Sequence, residues 1–117
     1  MEPTYGINIL AQTLDAAALR HRVIAQNVAN VNTPGYRRKA VEFEADLARA
    51  MAAGDASAVA RVRPSVVVAD GPARVDGNTV DIDAEMNLMA KNALLYQAAT
   101  QVIASRMSSL RAAVAGR

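Results

Sequence analysis

The chain has 117 residues, a formal net charge of +2, and neither cysteine nor tryptophan. Disulfides, thiol nucleophiles and cysteine-ligated metals are excluded, and so small a charge does not by itself predict nucleic-acid binding. Apolar residues make up 52% of the chain, yet its aromatics are only Tyr5, Tyr36, Phe43 and Tyr96. A core built on alanine, leucine, valine and methionine favours helices that bury little area each, so packing against partner chains is expected to help.

The opening residues, MEPTYGINILAQTLD, lack a basic n-region, an apolar h-region and a small-residue cleavage site, so no conventional secretory signal is expected. No run of about 18 apolar residues occurs, so no membrane span is expected either. Ile7, Leu10, Leu14, Ala17, His21, Ile24, Val28 and Val31 then step at threes and fours. This spacing predicts a first helix with a seam along one side. Ile9, Ala16 and Val23 form a second apolar column at seven-residue intervals.

The stretch NVANVNTPGYRRK, from Asn27 to Lys39, ends that helix. Thr33-Pro34-Gly35-Tyr36 carries type II turn chemistry: proline fixes φ at the first central position and glycine permits φ > 0 at the second. Thr33, preceding proline, is driven from the helical region, so the helix must stop near Asn30 to Asn32. Asn30 continues the column of Ile9, Ala16 and Val23, where an amide would fix register more than add stability. Asn27 and Asn32 complete the polar set, since asparagine caps backbone groups and tolerates tight turns. Arg37, Arg38 and Lys39 are read as a solvated loop edge or a contact for an acidic partner surface.

The middle, from 33 to 80, has other grammar. Phe43, Leu47 and Met51 at four-residue spacing predict a short helix over 42–52, and GDASA is read as a linker. RVRPSVVVADGPARVDGNT predicts one or two short strands, at an edge because of Pro64.

From about 81 to 115 the chain predicts a second long helix of roughly 50 Å. Its seam is Ile82, Met86, Met89, Ala93, Tyr96, Thr100, Ile103, Met107, Leu110 and Val114, with the Thr100 hydroxyl free to bond the Tyr96 carbonyl. The 3.5-residue period implies a left-handed supercoil, and Asp81, Asp83 and Glu85 suit the helix start. Leu88, Leu95 and Val102 form a second column. The expected fold is mainly α: an antiparallel pair of long terminal coiled-coil helices, 1–32 and 81–117, joined by an irregular 33–80 segment with short strands. The second columns, with Ile9, Val23, Leu88, Leu95 and Val102, are expected to face neighbouring subunits. The alternative is one broad face buried against the middle segment.

No catalytic constellation is found. His21, the only histidine, cannot make a metal site alone, and no nearby acid or serine gives triad logic. DIDAE lacks the spacing of a calcium loop, and the glycines form no phosphate-binding motif. No cofactor, metal or catalytic residue is assigned.

NVANVNTPGYRRK resembles the signature of the bacterial flagellar rod and hook axial proteins, in which an Asn-aliphatic-Ala-Asn element precedes a Thr-Pro-Gly-Tyr turn. DGNTVDIDAEMNLMAKNALLYQAATQVI resembles their C-terminal helix. The resemblance spans residues 7–43 and 76–114. The short length, the turn, and Ala93-Leu94-Leu95-Tyr96 where a Gln-Arg-x-Tyr element is usual resemble the proximal-rod type. This implies a structural subunit of the flagellar basal body, its terminal helices paired in a hollow, torque-transmitting shaft that crosses the periplasm. It implies partners in other copies of the chain, other rod subunits, a rod-to-ring adaptor and the membrane ring, and the type III export apparatus, which would pass the chain uncleaved. The alternative is a soluble helical adaptor or secretion chaperone, for which a well-folded free chain is expected.

Overall fold

The computed structural model describes residues 3–116, with side chains from Tyr5 onward; residues 1, 2 and 117 of the expected terminal segments lie outside the described residues. The elements run α1 (Pro3–Ala29), β1 (Lys39–Glu42), α2 (Glu44–Ala52), α3 (Ala56–Arg61), β2 (Ser65–Val68) and α4 (Ile82–Val114). The protein is mainly helical, and its extents of 64 × 28 × 14 Å follow from the two long helices.

α1 and α4 pack side by side and antiparallel. Asn27 near the end of α1 bonds Glu85 near the start of α4, the Ala17 carbonyl accepts from Asn92, and the Arg106 guanidinium lies over Gly6. α4 is held by the carboxylate of Asp81, which accepts from the N–H groups of Asp83 and Ala84. Thr100 Oγ1 donates to the Tyr96 carbonyl at 2.8 Å.

The stripe by which α4 meets α1 differs from the expected seam. Its buried residues are Glu85, Asn92 and Ala99, seven apart, with Met89 and Ile103 half-buried beside them. Met86, Ala93, Thr100 and Met107 of the expected seam are exposed. Small and amide side chains let the backbones approach, as the Asn92–Ala17 bond requires, and the larger apolar residues are left on the flanks.

α1 is buried over a broad face rather than along two separate columns. Ala16, Ala17, Val23, Ile24 and Asn27 are all buried, because α1 has α4 on one side and β1 and α3 on the other. Val23, expected to face a neighbour, therefore lies inside the fold at 3% exposure, and Ile9 is half-buried. His21, expected in the seam, is exposed. Val41, Phe43, Val59, Val80 and Ala99 complete the apolar core.

The middle segment holds more structure than its composition announces. β1 and β2 form a two-stranded antiparallel sheet in which Lys39 pairs with Val68 and Glu42 with Ser65. Pro64 immediately precedes β2, at an edge. The expected linker contains the start of α3: the Asp55 carboxylate accepts from Ser57 N–H and caps it. α3 then docks through Gln12 of α1, whose Nε2 donates to the carbonyls of Val59 and Val62 at 2.9 and 3.0 Å.

Candidate functional site

The signature stretch and the DGNTVDIDAE run meet at the C-terminal end of α1, where they build one polar knot. The helical bond from Asn30 N–H to the Gln26 carbonyl is the last full turn of α1. Thr33 to Tyr36 then form the turn: Gly35 has φ +75°, and Tyr36 N–H donates to the Thr33 carbonyl at 3.2 Å. This is the sign at Gly35 that type II geometry requires.

Asn27 is fully buried and all of its amide is used. Nδ2 donates to the Lys39 carbonyl at 2.8 Å, and Oδ1 accepts from Lys39 N–H at 2.9 Å. The side chain thus pairs with the edge of β1 as a neighbouring strand would. It also accepts from the Tyr36 hydroxyl at 3.3 Å and donates to Glu85 Oε1 at 3.2 Å. One side chain thereby ties α1, the turn, β1 and α4 together.

Asn78 is a second buried amide, in a stretch whose pattern predicts only short strands and turns and gives it no role of its own. Its Nδ2 shares two protons among the carbonyls of Asn30, Val31 and Thr33 at 2.9, 3.1 and 2.8 Å, just past the end of α1; the Asn30 and Thr33 carbonyls also accept from the N–H groups of Thr33 and Tyr36. Its Oδ1 accepts from Val80 N–H at 2.7 Å. Arg74 adds bonds to the carbonyls of Val31 and Val80. The 76–79 segment runs beside the turn, with Gly35 N–H on the Asp76 carbonyl at 2.9 Å and Thr79 N–H on the Tyr36 carbonyl at 3.0 Å. Gly77, at φ +86°, lies against Gly35: a Cβ on it would stand 3.4 Å from the Gly35 Cα.

Two charges also belong to the knot: Arg38, expected at a loop edge or an acidic partner surface, and Glu85, expected to suit the start of the second helix. Glu85 is 1% exposed and its Oε1 meets Arg38 Nε at 2.6 Å. Arg38 is thus committed within the chain, whereas Arg37 is exposed. The polar groups near Asn30 are local: its Nδ2 bonds the Gln26 carbonyl and its Oδ1 accepts from Thr33. Asn32, Thr33 and Pro34 are exposed. The sequence pattern could not rank these asparagines, because the partners of Asn27 and Asn78 come from about 10 to 60 residues away and leave no local spacing.

The contact candidates of α4 line the exposed flank beside its buried stripe, each three positions beyond Glu85, Asn92 or Ala99. Leu88, Leu95 and Val102 are 37%, 41% and 43% exposed, and Leu94, Tyr96, Met107 and Leu110 are exposed around them. Exposed apolar residues recurring along one helix are the kind of surface that a partner covers. Among the described residues no group of histidine, aspartate or glutamate could hold a metal, and no helix is long and apolar enough to cross a membrane.

The family model described as flagella basal body rod protein matches residues 7–37, which cover most of α1 and the turn. The flagellar basal body rod protein FlgB of Borrelia hermsii is 33% identical over 124 aligned positions, spanning 90% of this chain and 92% of the relative. FlgB of Cereibacter sphaeroides is 31% identical, with 94% of each chain covered. FlgB of Salmonella typhimurium is 30% identical, with 85% of each covered. The match runs through both long helices and the knot between them, and the chain belongs to the FlgB family of flagellar basal body rod proteins.

Proposed function

We propose that this chain is a structural subunit of the proximal flagellar rod, with no enzymatic step, and that it assembles helically into a hollow shaft that transmits torque. In this reading α1 and α4 pair as a short coiled coil, supported by buried α4 residues that recur every seven positions. The segments 1–32 and 81–117 line the tube, and 33–80 braces them on the outside. The observation that carries the reading is the exposed apolar surface of α4 on a chain that matches rod proteins over most of their length. Leu88, Leu95 and Val102 meet neighbouring copies or other rod subunits; Ile9 contributes at its exposed edge, and Val23 supports the fold from within.

The knot serves this function by rigidity. A shaft under torque needs a fixed angle between its helices and the chain that leaves them. The buried amides of Asn27 and Asn78 fix that angle, with Asn30, Asn32, Thr33, Pro34, Gly35 and Tyr36 shaping the turn. The rod-to-ring adaptor, the membrane ring and the type III export apparatus are the further partners of this reading. Export without a cleaved leader to the periplasmic part of the basal body is its location. The test is complementation of a strain lacking its own copy of the gene. Wild-type chain restores basal bodies with rods and swimming; rods that assemble and turn without it would overturn the proposal.

A further inference from the structure

The two edges of the small sheet are treated differently. The register alternates: Ala69 N–H bonds the Arg38 carbonyl opposite it, so Lys39–Val68 is a non-hydrogen-bonded pair, Ala40–Val67 a bonded one and Val41–Val66 non-bonded. The outward groups of β1 are therefore those of Lys39 and Val41. The side chain of Asn27 fills Lys39, and Arg20 Nη2 reaches the Val41 carbonyl at 3.3 Å. Of that edge's outward groups only the Val41 N–H is left without a partner among the described residues.

The outer edge of β2 is open. By the same alternation the N–H and carbonyl groups of Val66 and Val68 point away from β1, and no group among the described residues bonds them. Their side chains are 46% and 56% exposed. Ser65-Val66-Val67-Val68 carries no charge and no internal proline, the devices that blunt edges elsewhere.

We propose that β2 pairs antiparallel with β2 of a second copy of this chain, about a twofold axis at Val67, giving a four-stranded sheet across two protomers. The register is set by chemistry. Centred on Val67, Val66 of each copy faces Val68 of the other, and all four outward N–H groups find carbonyls. Centred on Val66, Val68 would face Pro64, which has no N–H to give. Centred on Val68, Val66 would face the charged Asp70. The Val67 register also brings the basic end of each strand, Arg61 and Arg63, toward the acidic end of the other, Asp70; a parallel pairing would stack like on like. So short an interface is weak and concentration-dependent. Being isologous it closes on itself and cannot propagate along a polar shaft, so the pair belongs to the unassembled chain. It does not depend on the rod reading.

The chain has no cysteine, so a single introduced thiol reports without background. Val67→Cys places two thiols in a non-hydrogen-bonded cross-strand pair, with Cα atoms about 4.5 Å apart, within disulfide reach. With diamide as oxidant, full-length Val67→Cys is expected to form a covalent dimer about tenfold faster than Ala53→Cys, an exposed control off the sheet, because pairing raises the local thiol concentration. Adding Val66→Lys, at an exposed position that leaves the fold intact, abolishes the difference. In the wild-type chain the amides of Val66 and Val68 gain exchange protection as concentration rises. Equal crosslinking rates for Val67→Cys and Ala53→Cys would overturn the proposal. So would fast exchange of both amides at every concentration, even alongside crosslinking of Val67→Cys, which would then report chance collision.

Discussion

Arg38 Nε and Glu85 Oε1 meet 2.6 Å apart across the knot, the carboxylate fully buried and the arginine partly exposed. Glu85 Oε2 has no hydrogen-bond partner, so the arginine is the main compensation for a buried charge. Arg38→Met is therefore expected to cost about 3–5 kcal/mol, because it strands that charge. Glu85→Gln keeps an acceptor for Asn27 and should cost less. Urea unfolding of the two variants and of Arg38→Met/Glu85→Met checks this: the double variant should be more stable than Arg38→Met alone. If it is less stable, the pair is not the coupled unit its geometry describes.

Asn78 bonds three carbonyls in the turn that follows α1, while Asn32 makes no side-chain hydrogen bond among the described residues. Asn78→Ala is expected to destabilise the chain by about 1–3 kcal/mol, since the buried Val80 N–H loses its acceptor and the turn after α1 loses its tether. Asn32→Ala should stay within about 0.5 kcal/mol of wild type. Thermal unfolding of the two variants separates the roles; equal midpoints would remove Asn78 from the knot.

Gly35 and Gly77 both have positive φ, at 75° and 86°, and lie back to back. Gly35→Val meets open space and suffers backbone strain alone, about 1–3 kcal/mol. Gly77→Val has the same strain, and its Cβ already stands in van der Waals contact with the Gly35 Cα, so its two methyl groups have less room and it should be worse. Both variants are expected to lower motility in the complementation assay, in that order. Wild-type swimming of Gly35→Val would show that the turn tolerates another backbone path.

Leu95 and Val23 were equivalent in the heptad pattern and are opposites in the fold. Leu95→Asp, on the exposed flank of α4, should leave the free chain within about 0.5 kcal/mol of wild type while abolishing rod assembly. Val23→Asp buries a carboxylate without a partner and should unfold the chain itself. Circular dichroism of the purified variants, set beside basal-body preparations, distinguishes them. Normal rods from Leu95→Asp would remove the exposed flank from the assembly.

The exposed flank also bears on the free chain. Only Glu85, Asn92 and Ala99 of the 33 residues of α4 are buried, so little tertiary contact holds this helix. Amide exchange in dilute solution is expected to be fast over 104–114 and slow around Asn27, Lys39 and Thr79. Strong protection throughout α4 would mean that the free chain is already complete, and would favour the adaptor reading.

Both long helices, their ends and the turn were legible because each is governed by local spacing: threes and fours for the helices, Pro-Gly for the turn. What could not be read was which stripe of α4 meets α1. Counting apolar residues selects Met86, Ala93 and Met107, yet close backbone approach selects Asn92 and Ala99. β1 was invisible for a related reason. Its strand Lys39–Glu42 has one buried valine, and its edge partner is the side chain of Asn27, not another strand. Asp55 makes α3 begin where small residues suggested a linker. The knot was half visible: the turn announced itself, whereas Glu85 and Asn78 acquire their roles only through contacts about 50 residues away.

That separation imposes an order in time. The turn after α1 is tethered to the rest of the knot by an amide 45 to 48 positions further along the chain. Whenever the polypeptide emerges N-terminus first, from a ribosome or through a pore, the turn after α1 lacks this tether until residue 78 has arrived. Until then the chain cannot lock the angle at which it turns away. The vectorial delay keeps it pliable while it is being threaded and makes it stiff once it is whole.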